Sequence, residues 1–539
     1  MVYHLRFLLI IYSVRKNILY LFIIIFSFTP KAYSTEIKYI FLFKETNFYT
    51  HICINSSPAI QTQFILPRII SSNKDDHNKY INISINSKKL EQIKHSYDYL
   101  IIDNQVGDNV CIDYCLDYGD QITLINKLIS PNTFYLHGFE SFAIPDFNSN
   151  DKFDIQFQWE GNKNPIFSNI NFIDDEFYRT KLTMQELENS FFISGFNESY
   201  LNKNMQSYIL LTPKFKYLTF GLINHINKLK RIENIIFSNV DTLLKKEYFI
   251  FLPALNNLSE GEYKSGNDYS IFKINIKENQ KLDKFLEYLI SHEYFHKVLN
   301  MHTIPVENIK EDYWFFEGFT DYISMQSNLQ ANIWSVQDYI DIYNEKLKNY
   351  FQYEMDKVVL AETYLVPLYE STGYVRGLIL AHNIENALKN GSNGKNLLNF
   401  LNELIDFYKA NSNKIFNDKI FISKLELYSG INFSNELAEI KNLTSGIHLS
   451  KKILNNKFCL TYTKIKIPVY VNVNLFKLFK ELNTSFLNSK GLKDGQKIIE
   501  INYFENKKDE FTIKTTDKNI LLKPKYEIKN IPQYIECLK

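Results

Sequence analysis

The chain has 539 residues, 45% of them hydrophobic and 15% aromatic. It is too long for one compact core and too apolar to stay unfolded, so several domains are expected. With 61 basic against 60 acidic residues, a net charge of +1, no global charge draws it to nucleic acid or to an anionic membrane surface.

At the amino end, Arg15 and Lys16 precede an uncharged apolar run over 17–29, and Pro30 and Ala32-Tyr33-Ser34 follow with small-x-small spacing. This is the layout of a secretion signal over residues 1–34, and the run is shorter than the ~20 residues a membrane span needs. The chain is expected to be exported, to a periplasm or to the outside. A second apolar piece, 5–14, lies ahead of the basic pair and would anchor the chain in a membrane if the segment stayed uncleaved.

Five cysteines follow, Cys53, Cys111, Cys115, Cys459 and Cys537. In an exported chain some pair. Cys111 and Cys115 are close in sequence, and Cys459 with Cys537 would close the C-terminal region on itself; unpaired buried thiols fit equally well. The odd count leaves at least one free or paired between chains, and no Cys-x-x-Cys pair points to a structural zinc site.

Residues 35–185 carry short runs rich in Ile, Phe, Tyr and Thr, such as 37–43, 97–102 and 153–159, broken by Asn, Asp, Ser and Gly. They predict a mainly antiparallel β domain with no catalytic constellation of its own. From 186 the pattern changes. A helical stretch lies within 215–237, strands are expected over 247–252 and 268–276, and helices over 281–299, 318–329, 331–350, 374–388 and 394–409.

The helix over 281–299 carries His292-Glu293-Tyr294-Phe295-His296, of the form H-E-x-x-H. Its apolar residues Leu282, Phe285, Leu286, Leu289, Phe295 and Leu299 recur near a 3.6 period. His292 and His296 then share one face, with Cβ atoms about 5–6 Å apart, and both imidazoles can reach one Zn2+. Glu293 is placed to take a proton from a water activated by that ion without itself being a ligand. Downstream, Trp314-Phe315-Phe316-Glu317-Gly318-Phe319-Thr320-Asp321-Tyr322 offers Glu317 as third ligand. Asp321, one turn further, is placed to accept the free N–H of a ligand histidine. His302 competes for the third position, because it ends a near match to H-E-x-x-H-x-x-G-x-x-H. Leu299, however, stands where that pattern needs Gly for a sharp turn.

On these residues, and on Tyr374-x-x-Gly377, the chain resembles the glycyl-aminopeptidase family, PDZ-containing relatives of the thermolysin-like gluzincins. The resemblance implies a thermolysin-like catalytic domain over 186–450, with strands, then the ligand helix, then a helical lobe. It implies His292, His296 and Glu317 as zinc ligands, Glu293 as general base and Tyr374 as oxyanion stabiliser. A phenol near the metal can donate a hydrogen bond to a tetrahedral oxyanion. Arg376 stands where the family has Lys, and Ser259-Glu260-Gly261-Glu262-Tyr263-Lys264-Ser265-Gly266 replaces the family's Gly-Gly-Leu-Glu-His-type strand that recognises the substrate's amino end.

After 450, strand patterns return at 464–473 and 497–503. The run Gly491-Leu492-Lys493-Asp494-Gly495-Gln496-Lys497-Ile498-Ile499-Glu500-Ile501-Asn502 resembles the Gly-Leu-x-x-Gly-Asp-x-Ile-x-x-Ile-Asn stretch of PDZ domains, with Gln496 in place of Asp, so 451–539 is expected to be a small, degenerate PDZ-like β domain binding a peptide by strand addition. The expected whole is a multidomain α+β protein. It would act as an exported zinc metallopeptidase on a peptide or protein substrate, aminopeptidase-like, with no nucleic-acid partner and with membrane contact only through an uncleaved signal. The alternative is an inactive peptidase scaffold serving as a secreted binding or adhesion module.

Overall fold

A computed structural model describes residues 35–537 apart from short breaks and the longer segments 67–80, 117–132, 238–245, 353–371, 470–497 and 504–510. The expected signal, 1–34, and the PDZ-like positions 491–497 lie outside the described residues, as does His302. The chain forms two compact units. One runs to Glu198 with Leu211–Lys214 and Leu252–Leu258, and the other comprises Ser199–Leu210, Phe215–Phe251 and the chain from Ser259.

The first unit is sheet-rich, as its alternating pattern leads one to expect. The strands needed below are β1 (Glu36–Lys44), β2 (Asn47–Asn55), β3 (Ile81–Ile85), β4 (Val110–Leu116) and β5 (Phe153–Glu160). They form a seven-stranded sheet in the order Arg179–Leu182, β5, β1, β2, β4, β3, Lys88–Lys89. β5 and β1 run parallel, and β1, β2, β4 and β3 pair antiparallel. Ile37, Tyr39 and Phe41 alternate along β1 and are fully buried. Their face packs on Phe142, Phe157 and Trp159, with Phe41 and Trp159 stacked 4.3 Å apart. Cys53 and Cys111 are joined across β2 and β4. Cys111 is therefore not bonded to Cys115: residues four apart on one strand sit about 13 Å apart, whereas cross-strand neighbours touch.

The second unit holds most of β6 (Asn197–Asn202), β7 (Ser207–Leu211) and β8 (Lys246–Pro253), with helix α1 (Thr219–Ile236), β9 (Glu260–Ser265) and β10 (Tyr269–Ile276). The sheet order is β6-β7-β8-β10-β9, so among the described residues β9 is an edge strand. Helices follow: α2 (Lys284–Phe295), α3 (Gly318–Gln330), α4 (Val336–Gln352), α5 (Thr372–Gly391), α6 (Leu397–Ala410), α7 (Asp418–Ser429) and α8 (Ser434–Lys441). Among the described residues the chain ends on a twelve-residue antiparallel pair, β11 (Phe458–Val469) with β12 (Lys525–Glu536), closed by Cys459–Cys537, and a separate small sheet that includes Ile498–Tyr503. A mixed α+β architecture with a sheet-rich N-terminal part and a helical part beyond it is thus present.

Helix α2 is shorter than 281–299. Asp283 starts it, its side chain accepting from Leu286 N at 3.0 Å, and Asn279 just before it holds φ 60°. His296 caps its C-terminal end while still helical in φ and ψ, so both histidines keep one face. Phe285, counted with the apolar stripe, is instead 45% exposed. The back of α2 is tied down by a buried charge cluster. Lys297 Nζ bonds Glu247 Oε1 at 2.9 Å and Glu233 Oε2 at 2.6 Å, and Lys230 pairs with Glu247. Burial alone would raise the Glu247 carboxyl, but Lys297 and Lys230 outweigh it and hold it down to about 2, against an ordinary 4.5. A depressed folded-state pKa contributes stability above the unfolded value, lost as pH falls. The stability gap between wild type and Glu247→Gln, from denaturant melts, is therefore expected to narrow as pH falls from 4.5 to 2.

Candidate metal centre

Three side chains from two segments converge. The Nε2 atoms of His292 and His296 are 3.0 Å apart, and Glu317 Oε2 lies 3.1 Å from the first and 3.2 Å from the second. Three ligands held at 2.0–2.1 Å by a tetrahedral zinc ion would be about 3.3 Å from one another. The triangle has that size, and its donors are two imidazole nitrogens and a carboxylate oxygen. Charge agrees with shape. Burial pulls the His292 imidazole down, but Asp321 and Glu317 outweigh burial and carry it up to about 10, so the pocket favours positive charge. Burial would raise Glu317, yet His296 and His292 hold it well below the usual carboxylate range. The residues present fit a divalent cation of the zinc type.

Glu317 sits where the short helix Tyr313–Phe316 joins α3. The run before it is apolar because it is an anchor. Trp314 and Phe315 pack against Phe416 and Phe421, with Phe315 and Phe416 stacked 4.5 Å apart. Two glycines let α5 close on this anchor. A Cβ on Gly377 would collide with Trp314 O, and one on Gly318 with the backbone of Gly377. That contact brings in Tyr374, one turn before Gly377. Its ring stacks 5.7 Å from that of His292, and its hydroxyl donates to Glu317. Burial first, and then Glu317, Glu293 and Asp321, push the phenol well above its ordinary range, which keeps it a donor. Arg376 points away: fully buried, it donates from Nε to Tyr350 Oη at 2.8 Å and from a terminal nitrogen to Ile440 O at 3.1 Å. The Lys-to-Arg departure therefore bears on the helical lobe and not on the metal ligands.

Asp321 Oδ1 accepts from His292 Nδ1 at 2.8 Å. This puts the proton on Nδ1 and leaves Nε2 for a metal. Two neighbours that the sequence did not single out complete the arrangement. Lys346 of α4 donates to Asp321 Oδ2 at 2.8 Å and to Tyr288 Oη at 2.7 Å, and Tyr288 donates to Asp321. Burial would raise the Asp321 carboxyl, but Lys346 and His292 hold it to about 2. No local pattern marks Lys346, one of two lysines on an amphipathic helix. Its truncation in Lys346→Met is expected to weaken metal binding about 10–100-fold, read by competition with a chelating dye, while Lys346→Arg restores part of it.

Glu293 is buried on α2 beside the edge strand β9. A Cβ at Gly261 would run into its carboxylate, so only glycine leaves that carboxylate room. Burial raises the Glu293 carboxyl against the pull of His292 and His296. Gly261→Ala is expected to displace Glu293, cutting turnover at least about tenfold with metal content unchanged, since 1 Å misplacements at a reacting group cost that much or more. Next along β9, Tyr263 lies 6.2 Å from the His296 ring. Glu262 is bonded to Lys264 at 3.2 Å and to Lys273. Burial would raise its carboxyl, but those two lysines hold it to about 2.

The model of the M61 glycyl aminopeptidase family matches residues 285–366. No curated protein matches the chain. Among solved structures, the chain is similar to an aminopeptidase N family protein from Idiomarina loihiensis, at 14% identity and TM-score 0.63, over 92% of this chain and 98% of that one. That likeness shows the fold. It is also similar to leukotriene A4 hydrolase from Saccharomyces cerevisiae, at 14% identity and TM-score 0.43, over 78% of this chain and 68% of that one. The stretch supplying His292, His296 and Glu317 is thus of the M61 glycyl aminopeptidase type, the family that the motifs resemble.

Proposed function

We propose that the chain is an exported zinc metallopeptidase hydrolysing peptide bonds in a peptide or protein substrate. The convergence of His292, His296 and Glu317 on one point, with Glu293 beside it, is the observation that carries this reading. Zinc, when bound, supplies Lewis acidity, lowering the pKa of a water and polarising the scissile carbonyl. The protein's own groups do the rest. Glu293 takes the proton of the attacking water and hands it to the leaving amine. The Tyr374 hydroxyl donates to the oxygen on which negative charge develops. Asp321, held ionised by Lys346, fixes the His292 tautomer. Strand β9, at the edge of its sheet among the described residues, runs beside the base, where an extended peptide can add as a further strand.

The aminopeptidase end of the reading needs a carboxylate for the substrate's free amine. Glu262 does not favour that role, because two lysines already neutralise it. Incubation with a diverse peptide pool, half of it N-acetylated, tests the reading. Cleavage that a chelator abolishes and zinc restores supports it, and cleavage of acetylated members marks an endopeptidase. No cleavage by zinc-loaded protein would overturn it in favour of the inactive-scaffold, secreted binding role.

The domain reading is 35–185, 186–450 and 451–539, the last a degenerate PDZ-like module that takes a peptide ligand; its support is the Gly491 to Asn502 run, of which 498–502 are strand. Export rests on the 1–34 pattern. No helix among the described residues is long and apolar enough to cross a membrane. A mature chain whose sequencing starts at Met1 would count against cleavage and for the membrane-anchored form.

A further inference from the structure

The first unit carries another convergence of donor atoms, on β2 and β4. Cys53 and Cys111 face each other directly across the two strands and form a disulfide. Two residues along, on the same face, His51 stands opposite Asp113. His51 Nδ1 lies 2.5 Å from Asp113 Oδ1, and its Nε2 lies 3.0 Å from Cys53 Sγ. An ionised carboxylate only accepts, so it sets the proton on Nδ1 and leaves the Nε2 lone pair facing the sulfur. His51, Cys53 and Cys111 are half-buried and offer one ligand atom each, all within 4.8 Å of one another. Cys459–Cys537 belongs to no such group among the described residues.

We propose that reduction of Cys53–Cys111 turns this patch into a second metal site, a Cys2His set for a thiophilic cation of the zinc type. A dithiol reductant supplies two electrons and two protons: the S–S bond breaks, the reductant closes its own disulfide, and two thiols form. Metal binding then sends the two thiol protons to solvent, forms two metal–thiolate bonds and takes the Nε2 lone pair as third donor. Two thiolates and an imidazole are a zinc donor set. Asp113 orients His51 through its other ring nitrogen, as a carboxylate does for a metal-bound histidine. The ladder between β2 and β4 holds the two Cα atoms opposite each other through backbone pairing, which does not use the sulfurs. Rotation about the Cα–Cβ bonds then opens the sulfurs to the about 3.8 Å that two thiolates span on a tetrahedral ion. In the oxidised state the sulfurs are committed to each other, so the site exists in one redox state only. The inference stands whether or not the chain is a peptidase.

Cobalt(II) titration of the full chain tests it, before and after reduction by a water-soluble phosphine, which becomes its oxide by taking oxygen from water. The reduced chain is expected to bind one more ion than the oxidised chain and to show a thiolate-to-cobalt charge-transfer band, which a His-His-Glu site has no sulfur to give. Cys53→Ser with Cys111→Ser is expected to lose both the band and the extra ion, and Cys459→Ser with Cys537→Ser to keep both. Asp113→Asn, which leaves both sulfurs in place, is expected to weaken the extra ion about 10–100-fold. The proposal fails if reduction adds no ion, if the band survives in the Cys53/Cys111 double variant, or if circular dichroism shows the sheet lost on reduction, since the strands must hold the donors together.

Discussion

Glu293→Gln is expected to keep its metal and to lose kcat by about 10²–10⁴-fold, the range that a positioned proton acceptor supplies. The carboxamide has nearly the same shape, so it fits the space that Gly261 leaves open. The ligand atoms, two Nε2 and the Glu317 Oε2, are untouched. The amide cannot take up the water's proton at neutral pH. Metal content measured beside initial rates separates the outcomes. Full activity would remove Glu293 from the mechanism, and loss of metal would make it a structural residue.

Glu317→Gln removes the one negative charge in the ligand triangle at constant shape. Metal affinity is expected to fall by at least about 100-fold, more than the 10–100-fold typical of residues that only orient a ligand. The anchor of Trp314 and Phe315 on Phe416 and Phe421 does not involve the carboxylate, so the fold is expected to survive. His302→Gln is the control, because His302 ends the competing ligand pattern and lies outside the described residues. Loss of metal in His302→Gln alone would remove Glu317 from the site. Leu299, at that pattern's Gly position, is fully buried.

Much of the site was readable because its first parts are local. Two histidines four apart share a face on any helix, and so do Glu317 and Asp321 on theirs, so H-E-x-x-H and the aromatic-flanked Glu-Gly could be read from spacing alone. The strand-rich N-terminal part and most helix positions followed from periodicity in the same way, with ends misplaced where a cap decided: Asp283 starts α2 later than apolar spacing implies, and Asn332 at φ 50° delays α4. No motif marks helices α7 and α8, although α7 supplies Phe421 to the anchor under Glu317.

Periodicity is a property of neighbours in the chain, and it is silent on which distant segments meet. The family resemblance named Tyr374 among 37 tyrosines, and packing seats it by the site, because Gly377 and Gly318 permit α5 to touch the Glu317 anchor. Packing also joined Lys346 and Tyr288 to Asp321, set Gly261 against Glu293, and turned Arg376 away from the metal ligands. The same holds for the sulfurs. Closeness in sequence made Cys111 with Cys115 one option among several, but strand pairing seated Cys53 opposite Cys111 and His51 beside them. The residue types thus carried the chemistry that this chain can do, and close approach between remote elements decided where those residues do it.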